Sequence, residues 1–134
     1  MIFYSSATGN CKYAAQCIAA STEEAIHSIT ECVKQHQYHF SSDNGTVGII
    51  TPTYAWGLPS IVRDFLHALV LDEHPSYLWF LATYGTTTGQ TGHFANEIMR
   101  KKDFLSQHIS SRNCRTHGRR PLTSAICKKC AASI

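Results

Sequence analysis

The sequence predicts an α/β fold in three layers, a parallel β-sheet covered on both faces by helices. Two observations carry this expectation. Short apolar runs alternate along the chain with segments of helical period. The strongest run, YLWFLATY at 77–84, is apolar almost throughout, as a strand buried on both faces must be. Each convincing strand is also followed by an unusual polar loop. Ligands of such sheets bind outside the carboxyl ends of the strands, where those loops would gather.

The elements follow in order. MIFYS at 1–5 predicts a buried strand, and Cys11, Ala14, Ala15 and Ile18 then recur at i, i+3, i+4 and i+7 of a helix. Cys17 reads as a further small core residue. EAIHSIT at 24–30 predicts a weaker second strand, and 31–40 a helix without a firm apolar stripe. TVGIIT at 46–51 predicts the third strand, which Pro52 ends because proline donates no ladder hydrogen bond. In GLPSIVRDFLHAL, Pro59 suits a first helical turn, and Ile61, Val62, Phe65, Leu66 and Leu69 form one apolar face. YLWFLATY is the fourth strand, and a last helix is expected over 92–107 with Phe94, Ile98 and Leu105 inward. From Ser106 the pattern fails, leaving LTSAI at 122–126 as a short, poorly placed candidate for a fifth strand.

The 134 residues suffice for one domain, and no run of 18 apolar residues suggests a membrane span. With no charged segment ahead of an apolar stretch, a cytoplasmic protein is expected. Six cysteines in that compartment do not read as a disulfide scaffold, and the eight scattered histidines argue against a metal hydrolase. Charge divides the chain. Residues 1–104 hold six Lys/Arg against nine Asp/Glu, net −3, whereas 105–134 hold six Lys/Arg and no acid, net +6.

SSATGN, at the junction of the first strand and first helix, has the makings of an anion site. A helix N-terminus offers unpaired N–H groups and the positive end of the helix dipole. Ser6 and Thr8 add hydroxyls, Gly9 permits close approach, Asn10 adds an amide, and Cys11 at the helix start sits where thiol acidity rises. Thr8 or Asn10 would equally serve as a plain helix cap, and the residues alone leave both readings open. The loop lacks G-x-G-x-x-G and the P-loop pattern, and with Ser6 at its head and Lys12 at its end it lacks the Cys and Arg of a phosphatase. Tyr54 and Trp56 after the third strand and Tyr84 after the fourth supply aromatic faces suited to a planar heterocycle. Ordinary packing over the sheet's edge is the competing account of those rings.

YSSATGNCKYAA, TPTYAWGLPSIVRDFL and TYGTTTGQTG together resemble the flavodoxin family, in particular the flavodoxin half of bacterial ferredoxin-fused flavodoxins, over about residues 1–105. The resemblance implies a flavodoxin-like sheet with its first four strands in the order 2-1-3-4. It also implies FMN as cofactor, its phosphate held by Ser6, Thr8, Gly9, Asn10 and Cys11. Pro52, Thr53, Tyr54, Trp56 and Gly57 would flank one side of the flavin, and Thr83, Tyr84, Gly85 and Gly89 the other. Gly57 would let the peptide beside the flavin change conformation. The implied function is electron transfer with redox partner proteins of ferredoxin or reductase type, without nucleic acid or membrane, and without catalytic residues of its own. An FMN-dependent NAD(P)H or quinone reductase on the same fold, and a truncated remnant without flavin, are the alternatives. The body's charge of −3 would steer it to basic docking surfaces.

The resemblance stops where the composition changes. A fifth strand is missing or degenerate, only one C-x2-C of a ferredoxin cluster motif remains, and the end looks truncated or altered. Residues 106–134 are therefore expected to form a separate, poorly ordered basic tail. No metal site is expected, although Cys114, His117, Cys127 and Cys130 have types and pair spacings compatible with tetrahedral zinc.

Overall fold

The computed structural model of the chain describes residues 1–41, 45–87, 89–102 and 104, together with the backbone of 111–115. Five strands form the main sheet: β1 (Ile2–Tyr4), β2 (Ile26–Ser28), β4 (Thr46–Pro52), β6 (Tyr77–Tyr84) and β7 (Ser111–Arg115). Two short strands, β3 (His39–Phe40) and β5 (Val70–Leu71), pair in a separate parallel ribbon. The helices are α1 (Asn10–Thr22), α2 (Ile29–Lys34), α3 (Ser60–Ala68) and α4 (Thr91–Lys101). The main sheet is parallel throughout, in the order β2-β1-β4-β6-β7. Counted within that sheet alone, this is 2-1-3-4-5, and the expected order of the first four strands is met.

Strand alternation builds two cores. On one face Phe3, Ile49, Leu78 and Phe80 meet α3 and α4 through Val62, Phe65, Leu66, Ala95, Ile98 and Met99. On the other, Ile2, Ile50, Trp79 and Leu81 meet α1 through Cys11, Ala14, Ala15 and Ile18. The ring of Phe3 lies edge-on to Phe40 at 4.8 Å and tilted on Phe65 at 5.3 Å. Full burial of one such side chain is worth roughly 1.5–3 kcal/mol. Gly48 is required by close approach, since a side chain there would overlap the indole of Trp79 on the neighbouring strand. α1 buries the stripe expected of it, with Cys17 only half-buried at its edge. Val62, Phe65, Leu66 and Leu69 are buried and Ile61 is half-buried. Pro59 stands just before α3, where its carbonyl accepts from Val62 and Arg63.

Three expectations need correction. The helix proposed over 31–40 is α2, which starts at Ile29 and stops at Lys34. His36 adopts φ 53°, and residues 39–40 pair as a strand too short to leave a periodic signal. Phe94 does not face the core: it is 40 % exposed, and α4 turns Thr91, Ala95, Ile98 and Met99 inward instead. Leu105 lies outside the described residues. Finally, the fifth strand is present. β7 pairs in parallel with Phe80–Tyr84, beyond residue 105 and ahead of LTSAI, which lies outside the described residues. SRNCR escaped notice because an edge strand is held by its backbone ladder and need not be apolar.

Candidate functional site

In a parallel sheet the carboxyl ends of all strands point one way, so the loops after β1, β4 and β6 gather at a single end. At the first loop, Gly9 is the N-cap of α1 in the left-handed region, φ 92°, with open space where a side chain would stand. No side chain caps the helix. Among the described residues the exposed Thr8 hydroxyl and half-buried Asn10 amide have no hydrogen-bond partner, so the plain cap reading of Thr8 or Asn10 is not what the structure shows. Ser6 shapes the loop instead, its Oγ accepting from the Gly9 N–H at 3.1 Å. The first turn of α1 therefore opens without a side-chain cap, beside the Ser6 and Thr8 hydroxyls and the open side of Gly9.

Cys11 contributes differently from expectation. Its side chain is buried, with Sγ 3.2 Å from Thr83 Oγ1 on β6, and burial pushes the thiol up to about 11 against the smaller lowering by that hydrogen bond. The expected gain in acidity is thus reversed, because the sulfur points into the apolar floor and away from the helix terminus. Its backbone N–H remains part of the first turn. Thr83 is buried at the end of β6; its carbonyl accepts from the Thr53 N–H at 2.9 Å. Thr91, fully buried at the start of α4, donates to Thr53 Oγ1 at 3.2 Å. These hydroxyls fasten the floor below the loops, with Pro52 half-buried beside them in register with Thr83.

After β4 the chain folds back in a two-residue turn. The Tyr54 N–H donates to Gly57 O at 3.1 Å and the Gly57 N–H to Tyr54 O at 2.9 Å. Ala55 at φ 47° and Trp56 at φ 60° are both left-handed, the requirement of a type I′ turn. The unusual backbone thus lies at Ala55 and Trp56, and Gly57 itself has no positive φ. Trp56 is 69 % exposed and Tyr54 51 %. The third loop locks onto this turn: the Gln90 N–H donates to Trp56 O at 2.8 Å, and Gly89, at φ 51°, lies so close to the Trp56 backbone that a side chain would overlap it. Gly85 stands in open space, and Tyr84 is half-buried at the strand end.

The structure thus brings Ser6, Thr8, Gly9 and Asn10 together around a helix terminus, and joins Tyr54, Trp56, Gly57 and Gly89 in one aromatic turn. Cys11, Thr53 and Thr83 form the floor. Thr91, Gln90 and Phe94 also hold these loops and were not singled out from sequence; the threonine opening a helix in TGQTG was the available signal. Of the possible zinc quartet, His117, Cys127, Cys130 and the Cys114 side chain lie outside the described residues.

A doubly wound parallel sheet with an uncapped helix terminus after its first strand, and aromatic loops after its third and fourth, defines an α/β protein whose loops gather at the end of the sheet where such folds place their ligands. The chain belongs to the flavodoxin family: a family profile described as a flavodoxin domain matches residues 1–121. Among solved structures, rubredoxin oxygen:oxidoreductase from Desulfovibrio gigas superposes with TM-score 0.71 at 17 % identity, covering 98 % of this chain. This chain spans only 33 % of that protein's length. A flavodoxin from the domain Archaea gives TM-score 0.64 at 17 % identity, covering 98 % of this chain and 90 % of its own. Oxidised flavodoxin 1 from Bacillus cereus gives 0.65 at 14 %, covering 98 % and 91 %. At these identities the likeness is one of fold. A search of curated protein sequences finds no match. Among the described residues no helix is long and apolar enough to cross a membrane.

Proposed function

We propose that the chain binds FMN and serves as an electron carrier between redox proteins. The observation that carries this reading is the uncapped N-terminus of α1, ringed by Ser6, Thr8 and Asn10 at the same end of the sheet as the exposed ring of Trp56. The donor set fits a flavin phosphate: backbone N–H groups, two hydroxyls and an amide, with the open side of Gly9 toward them. Of Cys11, the backbone N–H suits the phosphate, while its sulfur is committed to Thr83. Tyr54, Trp56 and Tyr84 offer the aromatic faces, and the Thr53–Thr83 backbone bond with the Thr91–Thr53 hydroxyl bond fixes the backbone that would border the ring. When bound, FMN supplies one- and two-electron chemistry, and the protein sets its orientation and potential. None of the residues assigned to the site is a carboxylate or an imidazole, which favours a carrier over an enzyme that transfers substrate protons.

The test is optical. Purified protein should show flavin absorbance, or gain it with added FMN, and reductive titration should resolve two one-electron stages. Sustained NAD(P)H oxidation would assign a reductase instead, and colourless protein that rejects FMN would defeat the proposal.

A further inference from the structure

Charge is unevenly placed among the described residues. α3, α4 and Lys102 carry Arg63, Arg100, Lys101 and Lys102 against Asp64 and Glu97, net +2, whereas the rest carry Lys12 and Lys34 against Glu23, Glu24, Glu31, Asp72 and Glu73, net −3. Lys102 is drawn inward, its Nζ donating to Leu69 O at 2.7 Å. The other three cations line the clefts of this face. One, of about 290 Å³, has Leu58, Phe94 and Ile98 as its apolar part, with Arg63, His67 and Lys101 beside them and Glu97 as its one carboxylate. A second, of about 340 Å³, continues along α4 past His93, Asn96, Arg100 and Lys101, and shares Glu97 with the first. Asp64 and Glu97 answer Arg63 and Lys101 at 3.1 and 2.9 Å. Both are exposed pairs between neighbours on the same helix, which are weak and readily exchanged for other carboxylates.

The first cleft is continuous with the aromatic turn. Gly57 belongs to both, and the Phe94 ring lies 3.6 Å from where a Gly57 side chain would begin. Phe94 is 40 % exposed, in the helix whose preceding residue, Gln90, binds the Trp56 carbonyl. An aromatic anchor flanked by arginine is the kind of patch that dominates binding energy at interfaces.

We infer that the α3–α4 cleft is the docking site for a redox protein that presents an apolar side chain ringed by carboxylates. The acidic remainder of the body would repel such a partner and orient it, so the basic face beside Trp56 is the approach that the charges select. The inference rests on the electron-carrier reading and reverses the sign of partner that net charge alone suggests.

The experiment follows amide resonances of the full-length, FMN-supplemented chain during titration with an acidic [2Fe–2S] ferredoxin and, separately, with basic cytochrome c. The ferredoxin should shift Arg63, His67, Phe94 and Lys101, with affinity falling as salt rises. Arg63→Glu with Lys101→Glu should weaken it by about tenfold or more, and the paired glutamine variant by less. Replacing the four cations beyond β7, Arg119, Arg120, Lys128 and Lys129, by glutamine should change it by less than about twofold. Shifts centred elsewhere, tighter binding of cytochrome c, parental affinity in the paired glutamate variant while its spectrum stays dispersed, or loss through the tail variant would each overturn the assignment. FMN fluorescence quenching on the same samples reports the flavin site independently: rejection of FMN with intact docking sinks the carrier reading, and normal FMN binding without docking sinks this one.

Discussion

Thr8 presents a hydroxyl that nothing among the described residues engages, beside first-turn amides in the same condition. Thr8→Val keeps the shape and removes the donor. A hydrogen bond to a charged group is typically worth about 1.5–3 kcal/mol, so FMN affinity should fall roughly 10- to 150-fold while riboflavin, without a phosphate, is held as before. Trp56→Ala should weaken both flavins alike, because it removes ring contact. Equal losses in Thr8→Val would show that this loop does not hold the phosphate. His27 makes a different argument, about pH. Half-buried, with its ring 5.5 Å from Phe3 and 5.0 Å from Phe40, it is pulled below its ordinary value of 6.5 by desolvation, and further by the N-terminal ammonium. The unfolded chain therefore takes up the proton first as pH falls. Stability from this site is full above 6.5 and is lost as pH drops through the lowered folded value. His27→Phe should flatten the acid side of a plot of urea midpoint against pH; an unchanged slope would clear His27 of any part in it.

At the scale of elements, the 54–57 turn stands out because both central positions are left-handed and neither is glycine. Left-handed backbone costs roughly 1–2 kcal/mol per residue with a side chain, and glycine in place of alanine returns roughly 0.5–1 kcal/mol through unfolded-state entropy. Ala55→Gly should thus stabilise the protein by about 0.5–1 kcal/mol in urea denaturation, and a loss of stability would mean that the turn is relaxed as it stands. This turn was not legible in the sequence, where type I′ geometry is signalled by Asn-Gly or Asp-Gly and the chain reads Ala-Trp. What was legible rests on period and burial. The small residues of α1 recur on one face, and the runs of β4 and β6 are apolar on both. Once the sheet is parallel, three loops must share an end, so their gathering followed from the fold. Phe94 misled because apolar spacing does not distinguish a core position from one packed over a glycine at the sheet's end. Cys11 misled because its place in the chain fixes the amide at the helix terminus but not the direction of the sulfur. β7 was illegible because backbone pairing leaves no trace in side-chain polarity.

For the molecule as a whole, the decisive strand is β6. Six of its eight side chains are buried, and its backbone pairs with β4 over its first seven residues and with β7 over its last five. A chain ending at Phe104 would leave Phe80–Tyr84 as an open ladder on a long apolar strand, the kind of edge that recruits other chains. Such a chain should unfold at lower temperature and associate in light scattering after size exclusion. Loss of the basic segment would ordinarily offer a second explanation, because weak net charge promotes association. Here it does not: the full chain carries +3 and residues 1–104 carry −3, equal magnitudes of opposite sign. Association of the shortened chain would therefore report the exposed edge and not a loss of charge repulsion. A monomer with the full-length melting temperature would show that β7 contributes nothing to holding the sheet.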